Sequence, residues 1–111
     1  MGITVYAADP QDPFLATFDR NWGEWNVVAS YIEAKGPPEI VNQIGWRGHK
    51  YECLGADATA ALGKWMKQAL VVDDPTLFLR LELSEHDPAY ALSDLKLFAD
   101  FLESSGGFCI E

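Results

Sequence analysis

The chain has 111 residues, 49% hydrophobic and 23% charged. That suits one globular domain over residues 1–111, with a core that needs no metal or disulfide staple. Acidic residues outnumber basic ones 17 to 8, for a net charge of −9. Such a surface repels nucleic-acid phosphates and anionic membranes, and it attracts a basic protein. No apolar run approaches the roughly 20 residues of a membrane helix. MGITVYAADP has neither the basic start nor the long apolar stretch of a secretory signal. The expected location is therefore the cytoplasm. There the two cysteines, Cys53 and Cys109, are expected as reduced thiols, each a small buried hydrophobe rather than half of a redox pair.

In chain order, Ile3 to Ala7 predicts a short strand, with Ile3 and Val5 on one face and Thr4 and Tyr6 on the other. A turn at Asp9-Pro10 and Asp12-Pro13 follows, and Asp12 is placed to cap a helix with Pro13 first inside it. Phe14, Phe18, Trp22, Trp25, Val28, Ala29 and Ile32 then recur at helical spacing, with a break near Asp19 to Gly23 and Asn21 recapping a second segment, Trp22 to Lys35. Gly36-Pro37-Pro38 stops that segment. Glu39 to Ile44 predicts a helical turn or two, and Lys50 to Leu54 a strand with Tyr51 and Cys53 on one face.

Asp57 to Leu70 carries the clearest helical stripe: Ala58, Ala61, Leu62, Trp65, Met66, Ala69 and Leu70. Asp57 is its expected cap, and Gly63-Lys64 its expected water-facing surface rather than a phosphate loop. Thr76 to Ser84, TLFLRLELS, alternates strictly and predicts a strand with an all-leucine face. A last helix, with Pro88 at its start, presents Ala91, Leu95, Phe98 and Leu102, widened by Leu97 and Phe101, and closes at Gly106-Gly107. Phe108 to Glu111 reads as a final edge strand. The whole predicts an α+β fold: a small mixed or antiparallel sheet of about four strands, with three to four helices packed mainly on one face.

No motif identifies a reaction. There is no nucleophile elbow, and the two histidines, His49 and His86, sit in turns with no ligand-like spacing. No catalytic residue, metal or cofactor is assigned. Contact chemistry offers more. Trp22 and Trp25 cannot both sit centrally on a narrow stripe, so one is a candidate surface anchor. Gly45 to Tyr51 gathers Trp46, Arg47, His49 and Tyr51 into a cationic, aromatic loop in an otherwise acidic chain. The second face of the sheet collects Thr4, Tyr6, Glu52, Phe78, Arg80, Glu82, Cys109 and Glu111, either solvated or turned to a partner.

The charge favours a small acidic interaction protein that binds, and in the manner of an immunity protein or inhibitor neutralises, a basic partner. The alternative is a small-molecule or anion binder, or a small enzyme, centred on Trp46 to Tyr51. The sheet also allows pairing with a second copy of the chain.

Overall fold

The computed structural model describes residues 2–47, 51–72 and 88–111. The leucine-rich segment 76–84, with Arg80 and Glu82, lies outside the described residues, as do His49, Lys50 and His86.

Among the described residues four strands form one antiparallel sheet: β1 (Gly2–Ala7), β2 (Thr17–Asn21), β3 (Glu52–Leu54) and β4 (Phe108–Ile110), in the order β2-β1-β4-β3. Four helices are described: α1 (Trp22–Lys35), α2 (Pro38–Val41), α3 (Ala56–Val72) and α4 (Pro88–Ser105). The fold is α+β. Strand alternation sets which side the helices cover. Ile3 and Val5 of β1, Phe18 of β2 and Phe108 and Ile110 of β4 are buried, while Tyr6, Thr17 and Asp19 between them are exposed. Onto the buried side pack Trp25, Val28 and Ile32 of α1, Leu62 and Met66 of α3, and Leu95, Phe98 and Leu102 of α4, in one continuous cluster. Each large side chain buried there stabilises the fold by roughly 1.5–3 kcal/mol.

Local chemistry places several elements where the sequence expects them. Asn21 accepts from the Glu24 amide while the Glu24 carboxylate accepts from the Asn21 amide, a complete capping box that starts α1. Gly106 and Gly107 take positive φ at the end of α4, and the chain turns directly into β4.

Four expectations are corrected. Phe14 and Phe18 are not on a helix. Asp12 does cap with Pro13 first inside, but only a 3-10 turn, Pro13–Leu15, and Phe18 then joins β2. Pairing with β1, Val5 opposite Phe18, overrides the helical spacing. Phe108 to Ile110 is an interior strand, flanked by β1 and β3, not an edge. α3 begins at Ala56, so Asp57 lies in its first turn rather than at its cap. Gly63 is buried, not surface: a Cβ there would sit 3.1 Å from the Leu102 Cβ, so its missing side chain lets α3 and α4 approach closely.

Cys53 and Cys109 form a disulfide, which overturns the expectation of two reduced thiols. They stand opposite each other in the β3–β4 register, with Cα atoms 4.0 Å apart. Sequence distance misleads here, because antiparallel pairing brings together residues 56 apart.

Candidate functional site

The helices cover one face of the sheet, and among the described residues nothing covers the other. That open face is built row by row. Thr17, Tyr6, Cys109 and Cys53 run across β2, β1, β4 and β3 in register. Asp19 and Thr4 form the next row, which Glu111 extends by exchanging backbone hydrogen bonds with Thr4. Tyr6 is 41% exposed and Tyr51, just before β3, 69%. Of the residues expected on this face, Thr4, Tyr6, Cys109 and Glu111 are here. Glu52 is not, since it pairs with Ile110 on the opposite side. Phe78, Arg80 and Glu82 lie outside the described residues.

The electrostatics of the face are one-sided. Asp19 and Glu111 contribute carboxylates, and none of the four strands turns a lysine or arginine outward. The strand cation, Arg20, points to the helix side, where it pairs with the buried Asp94 at 3.1 Å and lies 4.0 Å over the Phe18 ring. The Tyr6 phenol registers the resulting field. Its pKa is held above the ordinary value of 10.0, first by the Glu111 charge, then by burial, with Asp19 adding to the effect.

At the far end of β1 and β2 an open depression of about 450 Å³ is lined by Thr4, Asp19, Arg20, Asn21 and Glu24 among others. Because Arg20 is neutralised by Asp94, this depression is also anionic in character. Glu24 further accepts a 2.8 Å hydrogen bond from the exposed Tyr90 hydroxyl, and that carboxylate raises the pKa of Tyr90 as well. Among the described residues no three His, Cys, Asp or Glu side chains converge as a metal site requires.

The tryptophans divide as their surroundings demand. Trp22 is 45% exposed at the start of α1, whereas Trp25 and Trp46 are buried at 1% and 2%. The Trp25 Nε1 donates to the Trp46 carbonyl at 2.6 Å, and the Trp46 Nε1 donates to the Val41 carbonyl at 3.0 Å. Both are therefore core residues that latch the chain after α2 beneath α1. Arg47 extends the latch, donating to Asn26 and Ser30 and pairing with Glu33 at 2.8 Å, all on α1. Of the loop residues singled out, only Tyr51 joins the open face, and His49 lies outside the described residues.

Phe14 is 92% exposed on the 3-10 turn, between Asp12 and the start of β2. Its segment is pinned by backbone bonds from Asp9 to Ser105 and from Gln11 to Ser104. Its spacing to Phe18 and Trp22 mimics one stripe of a helix, but the turn that carries it points it into solvent.

No family model, curated protein or solved structure matches this chain. The functional reading therefore rests on the geometry of the chain itself.

Proposed function

We propose that this chain is an acidic interaction protein of the immunity or inhibitor kind, acting in the cytoplasm, and that its open sheet face receives a basic surface of a partner protein. The observation that carries this reading is the composition of that face. Among the described residues it has exposed carboxylates and tyrosines, no outward cation on its four strands, and no cover. Tyrosine supplies contact area with a polar tip at low conformational cost, and a uniform charge sign speeds the encounter with an oppositely charged partner. The net charge of −9 acts in the same direction over longer range. A ligand site centred on Arg47 has less support, because α1 side chains already occupy that guanidinium.

The test is capture from the native host's lysate at low salt with salt-gradient elution, followed by kinetics with the purified partner. The association rate should fall at least roughly tenfold between low and high ionic strength. Asp19→Asn with Glu111→Gln should slow it at low salt and leave the thermal midpoint unchanged. A rate indifferent to salt and to both substitutions would sink the reading.

A further inference from the structure

The Cys53–Cys109 bond joins β3 to β4 on the open side of the sheet. Its flanking residues Leu54, Phe108 and Ile110 are buried, but the cysteines point the other way, onto the open face. Cys53 is exposed and Cys109 half-buried. The chain has no other cysteine, so exchange within the molecule has no competing partner. The expectation of a cytoplasmic protein and the presence of a disulfide are reconciled if the bond is made and broken in service, since reducing compartments do not keep ordinary disulfides.

We propose that Cys53–Cys109 is a reversible thiol–disulfide exchange site, attacked at Cys53 by a dithiol reductant, and that its reduction unfastens β3 from β4 while the rest of the fold stays intact. This inference rests on the cytoplasmic location in the reading above, but not on the partner proposed there.

Access selects the sulfur. Exchange requires a thiolate to approach one sulfur in line with the bond. Cys53 lies on β3, the last strand of the sheet among the described residues. Cys109 lies on an interior strand, between Cys53 and Tyr6 in its row. A dithiol thiolate therefore attacks the Cys53 Sγ and forms a mixed disulfide. The Cys53–Cys109 bond breaks, and Cys109 leaves as a thiolate that takes a proton from water. The second thiol of the reductant then attacks its own sulfur in the mixed disulfide and expels the Cys53 thiolate. Two electrons pass to the protein, and the reductant departs as a disulfide. Oxidation is the reverse exchange, with a disulfide as oxidant.

The consequence is local because the attachments of β3 are few. It has three residues and, among the described residues, one strand neighbour, β4. Leu54 anchors it in the core, and the Thr59 Oγ1 of α3 donates to the Leu54 carbonyl. β4 keeps its pairing with β1 through Val5, Tyr6 and Ala7, and Phe108 and Ile110 stay in the core. Segments with few buried contacts and exposed backbone hydrogen bonds open at low free energy in a fold.

The experiment uses the full chain, oxidised, in native buffer. Dithiothreitol is the probe, with alkylation counted by mass spectrometry and amide exchange followed in both states. The expected result is two alkylated cysteines without denaturant and at least tenfold faster exchange over β3, with unchanged exchange in β1, α3 and α4. Oxidised glutathione should restore the starting state. In the single variants, glutathione disulfide should modify the free Cys53 of Cys109→Ser at least tenfold faster than the free Cys109 of Cys53→Ser. The proposal is overturned by thiols that react before any reductant is added, by reduction that needs denaturant, by loss of protection across the whole fold, by unchanged exchange in β3, or by equal reactivity of the two single variants.

Discussion

The indole of Trp25 shows how much one buried side chain decides. Its ring packs edge-on to Phe98, with centroids 5.4 Å apart, and its Nε1 satisfies the Trp46 carbonyl. Trp25→Phe keeps an aromatic ring but strands that carbonyl in the core, so urea denaturation should show a loss of about 1–3 kcal/mol. A loss below the error of that measurement would mean that the carbonyl finds another donor. Asp94, 4% exposed, answers Arg20 across the core boundary. Asp94→Ala leaves a largely desolvated guanidinium unpaired. Since the Arg20 side chain keeps 21% of its exposure, we expect about 2 kcal/mol, below the range for fully buried pairs. A double-mutant cycle with Arg20→Ala separates the pair from its packing. The phenols give a pH signature. In the folded chain Tyr6 and Tyr90 titrate above 10.0 because Glu111 and Glu24 oppose their ionisation. The unfolded chain loses those neighbours and deprotonates first. Their stabilisation is therefore complete below pH 10 and is lost as pH rises through the raised values. Tyrosinate absorbance should show Glu111→Gln bringing Tyr6 down toward its ordinary value, with Tyr90 unmoved. If Tyr6 does not move, the field on the sheet face has another source.

At the scale of elements, the ends are legible and the surroundings are not. Asn21 and Gly36 act through bonds within a few residues of themselves, and Gly106-Gly107 through their own backbone conformation, which is why they mark the bounds of α1 and α4 before any tertiary contact is known. Gly106→Ala should cost about 1–2 kcal/mol in thermal or urea unfolding. A side chain at φ +65° is strained, and its Cβ would stand 2.8 Å from the Asp9 Cβ. The assignment of Phe14 and Phe18 fails at this same scale. Aromatics four residues apart satisfy a helix, but a turn and a strand satisfy them equally once β1 is available to pair. Gly63 fails for a related reason. A glycine in a helical stripe looks like a weak surface position, and only the proximity of Leu102 and Glu103 shows why it lacks a side chain.

For the whole molecule, the distribution of charge matters more than its sum. Lys67 is drawn into pairs with Asp100 and Glu103 between α3 and α4, at 2.9 and 2.8 Å, and Arg20 and Arg47 face Asp94 and Glu33. Among the described residues, these pairings place cations on the helical side and leave the sheet face to carboxylates. The exposed pairs among them, those of Lys67 and Arg47, add little stability each; their effect is on where charge lies. A charge-reversed Asp19→Lys variant should therefore lose more association rate with a basic partner than Asp100→Lys, at equal net charge. Stopped-flow mixing at low salt measures the difference, and equal losses would show that net charge alone governs the encounter.

The amino-acid sequence by itself determined the α+β class, the start of α1 at Asn21, the close of α4 at Gly106-Gly107 and the acidic character of the chain. All of these arise from composition, from periodicity or from bonds a few residues long. It also indicated that one sheet face would be mixed, and it named Thr4, Tyr6, Cys109 and Glu111 on it. Only the tertiary structure decided the strand order, the interior place of β4, the burial of Trp25 and Trp46, the exposure of Phe14 and the meeting of Cys53 with Cys109. Those depend on which distant segments pair. Pairing is set by the combined burial of many side chains, whereas a short stretch of sequence reports only on its own neighbours.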